Sequence, residues 1–310
     1  MAIKLVVKSR TGRDVLPDGI LLPSNATVDE LKARFAELKP RYYASRQRFT
    51  LPPRDGQRSG DLLVSGKKLS DYGLEDGSML FFKDLGAQIT YSTVFFWEYF
   101  GPLVVYPLFY FLPHLLYPGI KGHTSAERGT VQTLALGYWT FHYVKRLLET
   151  FYVHKFSHAT MPVFNLFKNC AYYWGFAAFV AYFVNHPLFT SPPLAQAYWA
   201  LAFSMACQFA NFRCHIILAN LRPAGTKGYV IPRGFLFDWI TCPNYTAEIL
   251  GWVGFTVATQ TVAAAIFTLV GAAQMAQWAL GKHARLRKTF DGLEGREKYP
   301  RRWIMLPPFF

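Results

Sequence analysis

Residues 169–212, NCAYYWGFAAFVAYFVNHPLFTSPPLAQAYWALAFSMACQFANF, run for 44 positions without one Asp, Glu, Lys or Arg. A hydrocarbon layer about 30 Å thick takes roughly 20 apolar residues per helix, so the stretch holds two crossings. Asn185-His186-Pro187 and Ser191-Pro192-Pro193 break it into two helices with a short polar turn between them. The same arithmetic marks one span over 93–112 and another over 131–148. The 33 uncharged residues 249–281 are long for one span and short for two, and a tight hairpin around Thr259-Gln260-Thr261 divides them. The total expected is six spans, with five or seven left open.

Outside this body the composition changes. The chain has 310 residues and a net charge of +14. Residues 1–90 carry 15 basic and 11 acidic side chains, residues 281–310 carry 8 and 3, and the 190 residues between carry only 15 charges. A soluble domain ionises roughly a quarter of its residues; the middle section has about a third of that density. A single soluble globule, a disordered chain and a coiled coil are excluded. What fits is a soluble N-terminal module, a polytopic membrane body and a basic tail, with both termini cytosolic if there are six spans. On that topology every basic cluster except Lys121 and Arg128 faces the cytosol. The positive charge is assigned to lipid headgroups and ligand phosphates, and no nucleic-acid partner is expected. Cys170, Cys207, Cys214 and Cys242 form no C-x-x-C and give neither a zinc site nor a disulfide framework.

In the N-terminal module, residues 3–9 alternate like a strand. A turn-rich stretch with Gly12, Pro17, Asp18 and Gly19 follows, then a short apolar run over 20–23. Thr27-Val28-Asp29-Glu30 is a capping box opening a helix that Pro40 ends. Short strands are expected near 48–51 and 62–64, and LSDYGLEDGSMLFF (69–82) turns into a closing strand. This order resembles a ubiquitin-like β-grasp domain over residues 1–85, a fold that serves assembly more often than catalysis.

Ionisable groups inside a bilayer are functional candidates. Glu98 lies six residues into the first span, and buried there it is expected to stay protonated as a donor. The alternative is an interfacial carboxylate reaching water. His142-Tyr143-Val144-Lys145-Arg146 ends the second span, and composition alone favours an ordinary snorkelling basic belt. The richest region runs from Asn211 through Arg222, Lys227, Tyr229 and Arg233 to Asn244, Tyr245 and Glu248. Its arginines suit phosphates, while the bland alternative is a polybasic loop drawn to anionic lipid. No G-x-G-x-x-G follows a strand, so a Rossmann site is not indicated.

NLRPAGTKGYVIP (220–232), CPNYTAEILGW (242–252) and KH…F…YPRRW..LPPF (282–309) resemble the C-terminal domain of the steroid 5α-reductase family. EYFGPL (98–103) and FHYVKRLLETFYVHKFSHATMPVFNLFKNCAYYWGFAAF (141–179) narrow this to the family's very-long-chain trans-2-enoyl-CoA reductase branch, in which the ubiquitin-like N-terminus also occurs. The resemblance implies an endoplasmic-reticulum membrane enzyme of about seven helices. It implies NADPH as reductant, a long-chain trans-2-enoyl-CoA as substrate, and the last step of microsomal fatty-acid elongation. The other elongation enzymes (elongase, ketoacyl-CoA reductase and hydroxyacyl-CoA dehydratase) become expected partners. Glu98 matches the family's glutamate at the substrate carbonyl, Tyr143 its partner tyrosine and Tyr245 a proposed proton donor. Lys145 and Arg146 match a functionally important basic pair, expected to meet CoA phosphates. Asn211, Arg222, Tyr229, Asn244 and Glu248 match positions lining the nicotinamide cofactor, and His283 one near its phosphates. Val230 and Leu286 depart from the family pattern, and 291–298 is longer than the usual link.

The chemistry so implied is reduction of a double bond conjugated to a thioester. Charge building on the thioester oxygen calls for a neutral donor such as a tyrosine, whose pKa is about 10. Between Tyr143 and Tyr245 as proton source the sequence does not choose. Competing readings are a steroid or polyprenol double-bond reductase, a membrane methyltransferase using S-adenosylmethionine, and a transporter or scaffold.

Overall fold

The computed structural model, described over residues 2–56, 59–120, 128–156, 159–221 and 229–308, divides into two units, one of residues 1–91 with 158–165 and one of the remainder.

In the first unit, β1 (Ala2–Ser9) buries Ile3, Leu5 and Val7 on alternate positions, as a strand with one covered face must. It pairs antiparallel with β2 (Asp14–Pro23) and parallel with the later β4. Helix α1 (Val28–Leu38) starts on the expected box: Thr27 N–H donates to Glu30 Oε2 at 2.6 Å, and Glu30 N–H to Thr27 Oγ1 at 3.2 Å. Its apolar stripe, Val28, Leu31 and Phe35, is buried, with Phe35 set against Phe82 and Phe49 at ring separations of 4.8 and 5.3 Å. β3 (Gln47–Thr50) pairs antiparallel with β4 (Met79–Asp84), giving the order β2-β1-β4-β3. Arg46 holds the end of β4 through Nε–Oδ1 (2.9 Å) and Nη2–Oδ2 (2.5 Å) bonds to Asp84, which keep that carboxyl below the usual carboxylate range.

Pro17-Asp18-Gly19 does not lie in a turn ahead of a short strand; it lies inside β2. β2 is an edge strand, where proline costs no ladder bond. The pairing slips between Leu5 and Val7 and again between Val7 and Lys8, and Gly19 takes the bend at φ +67°. A short ladder of β5 (Gln88–Thr90) and β6 (Thr160–Pro162) completes the unit.

The second unit is helical: α2 (Tyr91–Phe111), the short α3 (Pro113–Leu116), α4 (Thr130–Tyr152), α5 (Phe164–Val184), α6 (Leu194–Ala219), α7 (Pro243–Thr259) and α8 (Val262–Thr289). Of these, α2, α6 and α8 are long and apolar enough to cross a membrane. Phe111, Trp199, Phe209 and Leu269 are more than 60 % exposed, a surface that water would not tolerate and lipid does. The interior is aromatic, with Tyr106 stacked on Trp139 at 4.6 Å and Trp252 edge-on to Phe267 at 4.8 Å. Gln260 turns α7 into α8 at φ +47°, and the Thr261 hydroxyl caps α8 by accepting from Ala264 N–H. α6 and α7 approach through glycine: Ser204 Oγ donates to Gly251 O at 2.9 Å, and a Cβ on Gly254 would stand 2.1 Å from Ser204 Oγ and 2.8 Å from Ala200 O.

Arg128, one of the two basic residues that the expected topology left on the far side, has a local use. It donates to the carbonyls of Tyr110 (2.9 Å), Asn185 (3.2 Å) and Phe109 (3.5 Å), at the C-terminal ends of α2 and α5, where a positive charge is favoured. Lys121 lies outside the described residues. The four cysteines are free. Residues 302–306 run beside 239–242, with Thr241 N–H donating to Trp303 O at 2.8 Å and Cys242 N–H to Ile304 O at 3.1 Å.

Candidate functional site

Glu98 is 2 % exposed, so it is not an interfacial carboxylate reaching water. Asn169, from α5, donates to its Oε2 at 3.0 Å, and the hydroxyls of Tyr173 and Tyr99 are its next polar neighbours. Tyr99 accepts a 2.7 Å bond from Arg146, whose guanidinium also lies 4.8 Å from the centre of the Tyr99 ring. Tyr143 is buried between Trp139 and His142 at ring separations of 5.1 and 4.9 Å. It lies within electrostatic reach of both Glu98 and Glu248.

The snorkelling belt expected from composition is overturned. Lys145 and Arg146 have side chains only 9 % and 12 % exposed. A cation stays buried when its charge is matched, and Glu149, one helical turn on, provides the match. It accepts from Lys145 at 3.2 Å, from Arg146 at 2.7 Å, and sits 2.9 Å from His215 Nδ1. His154, just past the end of α4, stands perpendicular to His215 at 5.1 Å. Burial, then the charge of Arg146, pushes its pKa down to about 3, so it is neutral at physiological pH.

Lys145 also donates to Asn211 Oδ1. Asn211 Nδ2 in turn donates to the Asn244 carbonyl at 2.9 Å and to Glu248 Oε2 at 3.2 Å, tying α4, α6 and α7 together. Beside them Gln208 donates to Tyr138 at 2.7 Å and contacts His142 Nδ1 at 2.9 Å, while His142 Nε2 faces Glu248 at 3.9 Å. Two acceptors in this layer, Asn244 Oδ1 and Gln208 Oε1, are buried without a partner among the described residues. Such atoms are costly unless a ligand group satisfies them.

The remaining expected residues lie elsewhere. Tyr245 packs beside Trp278 at 6.2 Å and feels the charges of Glu248 and Arg146. His283 Nδ1 is 2.8 Å from Thr241 Oγ1, which also accepts from Tyr299 at 3.0 Å. His283 borders a cavity of about 630 Å³ with Arg287, Lys298, Arg301 and Arg302 in its wall. Tyr229 is exposed and accepts from Arg285 at 3.3 Å. Arg233 pairs with Glu297. Arg222 and Lys227 lie outside the described residues. The long stretch 291–298 closes on itself, with Asp291 bridged to Lys298 and bonded by Arg296 at 2.9 Å.

Sequence reasoning gave no role to Tyr99, Asn169, Glu149 or His215. Glu149 alone left a readable signal, sitting three and four residues after the basic pair on one helix face. Tyr99 adjoins Glu98 on α2, and Asn169 and His215 arrive from helices distant in sequence.

Residues 159–310 match the family described as 3-oxo-5-alpha-steroid 4-dehydrogenase. The chain is 46 % identical over 306 residues to a very-long-chain enoyl-CoA reductase of Dictyostelium discoideum, covering 98 % of both chains. It is 44 % identical to a probable very-long-chain enoyl-CoA reductase of Caenorhabditis elegans, over 93 % of this chain and 92 % of that one. A putative enoyl reductase of Schizosaccharomyces pombe shares 36 % over the full length of both. With that identity along nearly its whole length, the chain belongs to the very-long-chain enoyl-CoA reductase family of oxidoreductases.

Proposed function

We propose that the chain reduces very-long-chain trans-2-enoyl-CoA to the saturated acyl-CoA with NADPH, as the last step of microsomal fatty-acid elongation. The observation that carries this is the buried set in which Glu98, Tyr99 and Arg146 meet beside Tyr143, next to the Asn211–Asn244–Glu248 layer.

The residues present fit a reduced dinucleotide. Asn244 Oδ1 is a buried acceptor without a partner among the described residues, suited to a carboxamide N–H, and the cavity beside His283 offers the cations that phosphates require. Asn211, Arg222, Tyr229, Asn244, Glu248 and His283 are assigned to hold it. When bound, it supplies the hydride for the β-carbon. The protein's own part is electrostatic. Tyr143, braced by Trp139 and His142, donates to the thioester oxygen as charge collects there, and protonated Glu98 orients it or donates directly. Arg146, bonded to Tyr99, adds positive potential from the same side. Tyr143 and Tyr245 share the assignment of proton source for the α-carbon. Glu149 holds Lys145 and Arg146 in the interior and offsets one of their two charges. Their proposed substrate role is therefore weighted to the thioester end, and the phosphates fall to the tail cations.

The remaining assignments follow. The first unit, with β1 central between an antiparallel β2 and a parallel β4 and a helix joining β2 to β3, supports a ubiquitin-like domain over 1–85 and a reductase body over 86–310. Six to seven spans in the endoplasmic-reticulum membrane, with both ends cytosolic if there are six, complete the proposal, and the elongase, ketoacyl-CoA reductase and hydroxyacyl-CoA dehydratase are the expected partners. The test is NADPH oxidation by purified protein with a trans-2-enoyl-CoA of C18 or longer. Turnover of a steroid or polyprenol instead, or thermal stabilisation by S-adenosylmethionine and not by NADPH, would replace the reading.

A further inference from the structure

We propose that Glu149 is a positioning residue of this site: anchored by His215, it holds Arg146 against Tyr99 and Lys145 against Asn211. The inference rests on the enoyl-CoA reductase reading for its consequence in catalysis and on geometry alone for the clamp.

Each oxygen of Glu149 has a separate task. Oε2 accepts from Arg146 Nη1 at 2.7 Å, and the other terminal nitrogen of the same guanidinium donates to Tyr99 at 2.7 Å. Oε1 accepts from Lys145 at 3.2 Å and faces His215 Nδ1 at 2.9 Å. Arg146 is thereby a fork held at both tips. Lys145 is held between Glu149 on one side and Asn211 on the other. Glu149 itself is 1 % exposed, and nothing places it against substrate. A flexible cation loses its preferred rotamer when its buried counter-charge goes, because the fork geometry that made it specific is gone. Arg146 then leaves the Tyr99 hydroxyl, and with it goes the potential on the Glu98 side of the site.

The same side chains suggest a cation site, since ligand atoms of Glu149, His154 and His215 lie within 4.8 Å of one another. The surroundings argue against it. Both carboxylate oxygens are already engaged, and Arg146 Nη1 stands 3.4 Å from the same His215 nitrogen. A divalent ion would have to enter against two fixed positive charges.

The test uses the full chain in detergent, with Glu149→Gln, Glu149→Asp and His215→Gln. Three quantities are read: kcat for enoyl-CoA reduction, thermal unfolding, and labelling of Arg146 by phenylglyoxal measured by peptide mass spectrometry. Glu149→Gln should lower kcat by about 10- to 100-fold, by analogy with the residues that orient the ligands of a metal site, and raise Arg146 labelling severalfold. Glu149→Asp should recover part of both. His215→Gln, which leaves the carboxylate in place, should move both in the same direction by less. Unchanged labelling, or labelling that rises while kcat stays at the wild-type value, overturns the proposal. So does a stoichiometric transition metal in the purified protein. If Glu149→Gln does not fold, the His215→Gln result decides by the same criteria. If the wild type reduces no enoyl-CoA, the functional reading fails, and labelling alone decides whether the clamp exists.

Discussion

Gly254 and Gly137 are both interior helix glycines, and alanine at each should have opposite effects. Replacing a helix glycine by alanine removes backbone freedom from the unfolded chain and stabilises by about 0.5–1 kcal/mol where there is room. At Gly137, on α4, a new Cβ meets nothing within 4 Å, so Gly137→Ala should be neutral or gain that amount. At Gly254 the Cβ would stand 2.1 Å from Ser204 Oγ and 2.8 Å from the backbone oxygen of Ala200. The hydroxyl can rotate, at the loss of its 2.9 Å bond to Gly251 O, about 1 kcal/mol. The backbone oxygen cannot; α6 and α7 must part by roughly 0.7 Å to reach a contact distance of about 3.5 Å. Overpacking of this kind costs about 1–3 kcal/mol. After the helix-propensity gain, Gly254→Ala should be destabilised by about 1–3 kcal/mol. The damage should also reach the site. If the helices part as rigid bodies, the 2.9 Å bond from Asn211 to the Asn244 carbonyl stretches past hydrogen-bonding range, although it lies roughly 15 Å further along α7 at 1.5 Å per residue. Thermal or denaturant unfolding in one detergent, with kcat/KM measured in parallel, gives both numbers. A Gly254→Ala protein as stable as wild type, or a Gly137→Ala protein less stable than it, would refute the packing argument.

Glu98→Gln should keep part of the activity, because the amide still donates toward the substrate side, while Glu98→Ala should lose most of it; equal, full turnover in both would make Glu98 structural. Of Tyr143→Phe and Tyr245→Phe, the one that removes the donor to the thioester oxygen should fall by about 10²- to 10³-fold in kcat, and unchanged turnover in both removes both from the mechanism. The Arg46–Asp84 pair sets an acid limit on the first unit. Asp84 is held below its ordinary value by the Arg46 hydrogen bonds. Its contribution is therefore complete above the unfolded value of about 4 and is lost as pH falls from there through the lowered folded value. Pepsin cleavage between residues 2 and 84 should rise over that window in the wild type and be flatter, and higher throughout, in Asp84→Asn.

Local rules carried the parts of the molecule that are local. The Thr27–Glu30 box, the Pro-rich break between α5 and α6, and the Thr259-Gln260-Thr261 hairpin all depend on a few adjacent residues, and each could be read directly. Pro17-Asp18-Gly19 misled because turn residues are also what an edge strand uses to bulge, and strand order is not a local property. The β5–β6 ladder joins residues 70 to 74 apart, and no local pattern foretells it. At the site, the resemblance pointed to residues that the helices do bring together, among them Glu98, Tyr143, Arg146, Asn211 and Glu248. What it could not convey was that Lys145 and Arg146 are internal. A Lys-Arg pair at the end of an apolar helix reads as a belt unless the carboxylate one turn later is counted with it, and whether that carboxylate faces inward depends on where His215 arrives from α6.

The last helix is longer than a bilayer requires. Val262 to Thr289 is 28 residues, about 42 Å at 1.5 Å per residue, against a hydrocarbon thickness of about 30 Å. Its uncharged portion ends at Gly281, and Lys282, His283, Arg285, Arg287 and Lys288 follow without a break in the helix. With its uncharged turns in the hydrocarbon, α8 would carry its last roughly 12 Å beyond the oil, where its His283 and Arg287 line one side of the cationic cavity. An amphiphile with a water-loving head and a fatty tail could be gripped at both ends at once, each in the solvent it prefers, without being dragged wholly into either.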